Sequence, residues 1–243
     1  MEKRIGNIIL LGTSHVSEES SKKIKEIISK ELPEVVAIEL DFNRLRKVLS
    51  TSEKDQKKES SIKLIREYGI TGYLFLIIGS FVQRKVAKDL GIEPGIDMKT
   101  AYNEARKNKI PSALIDRDIR IVLKEMSAIP FSKKFSMFGS LLFKGFKKEY
   151  REELSFDPKT VPDEELIKKA LEIMRKELPE FYKILIDSRN EHMSDRLLDL
   201  SSKHEGDILA VVGAGHIEGM YEILSRKFID NKSELSFSFK TEY

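Results

Sequence analysis

Two apolar runs, each closed by a Gly-x-x-His step, constrain this chain more than any other feature. Ile8-Ile9-Leu10-Leu11 leads into Gly12-Thr13-Ser14-His15, and Ile208-Leu209-Ala210-Val211-Val212 leads into Gly213-Ala214-Gly215-His216. A short continuous apolar run suits a strand covered on both faces, as in a parallel sheet. In α/β proteins ligands are held at the carboxyl ends of such strands. Two strand-end histidines therefore predict one site, supplied by segments far apart in the sequence.

The intervening sequence fits that frame. Ser17, Glu18, Glu19 and Ser20 open a helix whose Ile24, Ile27 and Ile28 recur at helical spacing up to Leu32, and Pro33 ends it. Val35-Val36-Ala37-Ile38 is a second buried strand, ending at Glu39-Leu40-Asp41, and the two strands with their helix form a βαβ unit. Pro111 to Ile115, followed by Asp116-Arg117-Asp118, reads as a third strand, and Glu234 to Phe239 alternates like an edge strand. Ser50 to Ser60 is polar and reads as a loop, whereas the residues from Ser61 to Leu90 and from Ile119 to Lys148 have helical patterns. A further helical stretch begins at Pro162, carries Leu166, Ala170, Ile173 and Met174 on one face, and is kinked at Pro179. The expected fold is α/β, a single domain over residues 1–243 with a central, mostly parallel sheet and a large helical insertion at about 61–202.

Composition removes several function classes. There is no Cys, so thiolate chemistry is excluded and a metal site would have to use nitrogen and oxygen ligands. Lys and Arg (43) nearly balance Asp and Glu (40), and a net charge of +3 is no nucleic-acid footprint. Met1-Glu2-Lys3-Arg4 ahead of a short apolar run lacks the form of a secretory signal. The apolar stretch from Ile70 to Val82 is shorter than the ~20 residues a spanning helix needs. It reads as a buried or interface helix, and with the cluster Phe131, Phe135, Phe138, Phe143 and Phe146 it predicts a homodimer. Core packing is the competing reading of those aromatics, and a lipid- or partner-facing surface is another.

A catalytic metal site offers about three protein ligands and keeps one position open. His15, His216 and Glu39 meet that need, because Glu39 ends a strand expected to lie beside the one that carries His15. Asp97, Asp116 and Glu93 are further candidates, each in a turn after an apolar segment. Zn²⁺, Mn²⁺ and Co²⁺ all suit such a donor set. The plainer alternative is that each His caps a helix or bonds the backbone. Arg189 and Asn190 form a polar patch on a helix, where an Arg can stabilise an oxyanion or simply face solvent. Arg44 is spaced to pair with Asp41 or to face the site. His192 and His204 have no supporting spacing and read as surface residues. A dinucleotide loop at Gly213-x-Gly215 lacks its third glycine, since position 218 is Glu218.

Taken in order, Gly12-Thr13-Ser14-His15, Glu39-Leu40-Asp41 with Arg44, Gly95-Ile96-Asp97-Met98, Asp116-Arg117-Asp118, Asp187-Ser188-Arg189-Asn190 and Gly213-Ala214-Gly215-His216 resemble the TraB family. That family includes pheromone-shutdown proteins and is similar to the Tiki metal-dependent peptidases. The resemblance implies a Tiki-like or erythromycin-esterase-like α/β fold and a peptide or protein substrate. It implies a divalent metal on His15, Glu39 and His216, with Arg189 and Glu93 as catalytic groups. It also implies a place in the cytoplasm or at the cytoplasmic face of a membrane, reached through a region absent from this chain. A different function class, a non-catalytic peptide-binding or membrane-associated regulatory module, fits the Phe-rich segment.

Overall fold

A computed structural model describes residues 1–13, 18–49, 64–67, 69, 73, 95–130, 132–136 and 164–238. In chain order, β1 (Glu2–Ile5) and β2 (Ile8–Thr13) precede α1 (Glu18–Glu31), β3 (Val35–Ile38) and α2 (Phe42–Leu49). Then come α3 (Ile96–Lys107), β4 (Ser112–Leu114), α4 (Ile119–Ala128), α5 (Glu164–Glu177) and the short α6 (Pro179–Tyr182). A π-helical turn (Lys183–Asp187) runs into α7 (Ser188–Lys203), followed by β5 (Ile208–Gly213) and α8 (Ala214–Ser238).

The five strands form one sheet in the order β1-β2-β5-β3-β4, parallel except for the antiparallel edge strand β1. The expected α/β class and mostly parallel sheet are therefore found. Two expectations are corrected. β2 and β3 are not neighbours: β5, buried along its whole length, inserts between them and pairs with both, Ile8↔Ile208 on one side and Val35↔Ile208 on the other. The most continuously apolar strand takes the position where both faces and both edges are covered. The residues from Glu234 to Ser238 extend α8 rather than forming an edge strand. Propagating an established helix adds one bond per residue fixed, and this outweighs a short period-two pattern.

Alternate residues of the strands supply two cores. Ile9, Leu11, Val36, Ile38, Leu209 and Val211 pack against α1, α2 and α3 through Ile24, Ile28, Leu45, Met98 and Ala101. On the opposite face, Ile8, Leu10, Ala37, Ile208, Ala210 and Val212 meet Met193 and Leu197 of α7 and Ile217, Met220 and Leu224 of α8. A third cluster joins Val122 and Met126 of α4 to Phe181 of α6. The sheet lies between two helical layers, so its carboxyl edge is the place left open to a ligand.

The helical stretch expected to kink at Pro179 is interrupted there, α5 ending at Glu177 and Pro179 standing in the first turn of α6, and β4 falls within the span expected as a helical insertion. The polar stretch from Ser50 to Ser60, the apolar stretch from Ile70 to Val82, and Phe131, Phe138, Phe143 and Phe146 lie outside the described residues, whereas Phe135 is exposed. No helix among the described residues is long and apolar enough to cross a membrane.

Asp118 caps α4, its carboxylate accepting the Arg120 N–H at 2.9 Å. Removing such a cap costs about 1 kcal/mol. Asp118→Ala is expected to lower the urea midpoint accordingly at an unchanged denaturant slope.

Candidate active site

Glu39 is the first residue past β3, and its backbone N–H still donates to Val211 O at 3.1 Å, so strand pairing carries it to the carboxyl edge of the sheet. There its side chain is 4% exposed. One carboxylate oxygen, Oε2, accepts the Gly213 N–H at 2.5 Å, at the junction of β5 and α8. The other, Oε1, pairs with Arg189 and lies 3.4 Å from His216 Nε2. A buried carboxylate is tolerated when it is paired and hydrogen-bonded. The positive end of the α8 dipole adds to that support.

Arg189, in the first turn of α7, makes a two-pronged contact with Asp116: Nε to Oδ1 at 2.9 Å and Nη2 to Oδ2 at 2.8 Å. Nη2 also donates to Glu39, and Nη1 donates to Leu185 O at 3.2 Å. Of the five guanidinium hydrogens, one on Nη1 is left without a partner among the described residues. Arg44 of α2 reaches the same Asp116 oxygen and holds Asp41 at 2.9 Å, so the two alternatives for Arg44 are both realised. Asp41 in turn accepts the N–H groups of Asn43 at 2.8 Å and Arg44 at 3.0 Å, capping α2.

The electrostatics follow from this packing. Burial works against ionisation of Asp116, yet the guanidinium groups of Arg189 and Arg44 hold its carboxyl below the usual carboxylate value. Burial likewise disfavours the charge on Arg189, but Glu39 and Asp116 beside it keep the guanidinium firmly protonated. Glu39, Asp41 and Asp116 against Arg44 and Arg189 leave a formal excess of negative charge in the described cluster.

His216 stands in the first turn of α8, 5% exposed, with Nδ1 2.6 Å from Asn190 Oδ1. The start of α8 also explains Gly12: a Cβ there would lie 2.8 Å from Ile217 Cγ1 and 3.3 Å from Ala214 Cα, so the first Gly-x-x-His glycine makes room for the helix that follows β5. Two donors about 2.1 Å from one ion at a tetrahedral angle stand about 3.4 Å apart. The separation between His216 Nε2 and Glu39 Oε1, 3.4 Å, matches that distance, but no group of three or more His, Asp or Glu among the described residues could hold a metal ion, so the pair would need a further ligand from outside them; nitrogen with carboxylate oxygen suits Zn²⁺, Mn²⁺ or Co²⁺.

The other sequence candidates separate. His15 and Glu93 lie outside the described residues. Asp97 is fully buried between α1 and α3 and accepts the Ser21 hydroxyl at 3.2 Å, a contact that joins two helix starts. His192 is half-buried, and burial pushes its imidazole pKa down; His204 pairs with Glu34 at 2.6 Å. Asp116 sits between the two arginines. Its place after a strand pointed to the site, but its role as a shared counter-ion had no local signal.

Fold and site together define a class: an α/β protein with a buried, arginine-clamped glutamate facing a histidine at the carboxyl edge of a parallel sheet. Residues 2–226 match the model of the TraB/PrgY/gumN family, and the chain belongs to that family. It is 34% identical over 224 residues to an uncharacterized protein of Methanocaldococcus jannaschii, an alignment covering 90% of this chain and 54% of that protein. It is 23% identical to a TraB domain-containing protein of Mus musculus and 24% identical to one of Homo sapiens, covering in each case 88% of this chain and 61% of the relative. The chain thus spans little more than half the length of these relatives.

Proposed function

We propose that the chain is a metal-dependent hydrolase of peptide bonds, with His216 and Glu39 as ligands and His15 as the third. A peptide signal is the substrate class the family resemblance favours. The observation that carries the reading is the 3.4 Å separation of His216 Nε2 and Glu39 Oε1 at the sheet's carboxyl edge. A divalent ion held there supplies a water that is nucleophilic at neutral pH.

The chain's own groups divide the remaining work. Gly213 N–H and Arg189 hold the Glu39 carboxylate in one orientation. The remaining Nη1 hydrogen of Arg189 is the donor for the oxyanion that develops on the attacked carbonyl, where a preorganised donor is worth about 10²–10³ in rate. Glu93 is the candidate general base that takes the proton from the attacking water.

Zn²⁺ and Mn²⁺ titrations by calorimetry, followed by cleavage assays on a broad peptide library, test this reading. Wild-type protein is expected to bind one ion and cleave, and His216→Ala and His15→Ala to lose both properties. Absence of any binding that these variants remove overturns the metal site. Metal-loaded protein that retains a peptide without cleaving it would instead establish the peptide-binding regulatory module.

A further inference from the structure

We infer that Asn190 is a positioning residue that fixes His216 as its Nδ1–H tautomer, so that the Nε2 lone pair faces Glu39. Asn190 is 3% exposed and follows Arg189 in the first turn of α7. Its Oδ1 lies 2.6 Å from His216 Nδ1. A carbonyl oxygen only accepts, so Nδ1 carries the hydrogen and donates it. A neutral imidazole has one N–H, which leaves Nε2 as the acceptor nitrogen, 3.4 Å from Glu39 Oε1.

The contact has a built-in spacer. Gly219 lies three residues after His216, on the same face of α8. A Cβ at position 219 would stand 2.3 Å from Asn190 Nδ2 and 3.3 Å from its Cγ. Only a residue without a side chain lets α8 approach α7 closely enough for ring and amide to meet. The amide is therefore held on one side by the bare backbone of α8 and on the other by the imidazole. Arg189 and Asn190, adjacent in sequence, then act on different partners: Arg189 fixes the carboxylate and Asn190 fixes the imidazole.

This inference rests on the proposed function only in taking Nε2 as the ligating atom; the tautomer itself does not depend on a metal. The test has two arms. In metal-free protein labelled with ¹⁵N-histidine, long-range proton–nitrogen correlation reads the tautomer of each of the 4 histidines, and His216→Gln assigns the relevant ring. Wild type and Asn190→Asp, which keeps an acceptor oxygen, are expected to show Nδ1–H. Asn190→Ala and Gly219→Ala are expected to lose that preference. In the second arm, Zn²⁺ affinity falls about 10–100-fold in Asn190→Ala, as for loss of a hydrogen-bond partner behind a ligating His, and is retained in Asn190→Asp. An Nε2–H ring or an imidazolium in the wild type overturns the inference even if the protein binds Zn²⁺. An Asn190→Ala protein that keeps both the tautomer and the affinity overturns it as well. If the wild type shows Nδ1–H but binds no metal, the tautomer assignment stands and the hydrolase reading fails.

Discussion

Asp116→Ala is expected to lower the unfolding free energy by about 3 kcal/mol, the low end of the cost of removing one partner from a buried ionic cluster. The carboxylate lies between Arg44 and Arg189 with a side chain 1% exposed, so its loss takes one buried partner from each guanidinium and leaves Arg189 to Glu39 and Arg44 to Asp41. Chemical denaturation should register the change as a lower midpoint. The pH dependence has a defined sign. Asp116 ionises more readily in the folded protein than at its ordinary value of 3.8. The stabilisation is therefore fully present above about pH 4 and is lost as the pH falls through the depressed folded value. Asp116→Asn should show a shallower loss of stability across that acid range than the wild type.

The second large effect is expected at Glu39. Glu39→Gln keeps an oxygen for the Gly213 N–H, at 2.5 Å in the wild type, but removes the charge facing Arg189 and His216. Divalent-ion affinity is expected to fall by about 10²-fold or more, corresponding to about 2.7 kcal/mol, with peptide cleavage falling alongside. Calorimetric titration of Zn²⁺ into both proteins measures the difference, and unchanged affinity would remove Glu39 from the ligand set. Because Glu39 and Asp116 share Arg189, the double variant Glu39→Gln with Asp116→Asn should be non-additive in stability.

The parts of the fold that could be read in advance are those buried on both faces. β2, β3 and β5 are runs of Ile, Leu, Val and Ala because each of their faces meets a helical layer, and a continuous apolar run records that directly. β1 carries no such record: Glu2-Lys3-Arg4-Ile5 alternates exposed and half-buried residues at the sheet edge, and three charged residues in succession give no apolar run. Strand order is not legible locally, because β2 and β3 are neighbours in sequence but not in the sheet, where the more apolar β5 lies between them. At the site, Glu39, Arg189 and His216 could be named because strand ends and helix starts are where chemistry collects, and the structure brings the three together. Asp116 as a bridge and Asn190 as a ring anchor could not, since their roles depend on partners distant in sequence: Arg44 and Arg189 for one, His216 for the other.

The central pair of the sheet joins Ile8 to Ile208, about 200 residues apart in sequence. On a ribosome, β2 and β3 emerge long before the strand that must lie between them, and until it arrives they have a vacant seam rather than a sheet. Loop closure over such a span is slow relative to local pairing. Nascent chains halted before Ile208 should therefore be protease-sensitive and in need of a chaperone, whereas release of β5 and the first turns of α8 would complete the sheet, both cores and the contact between Glu39 and His216 in a single late step.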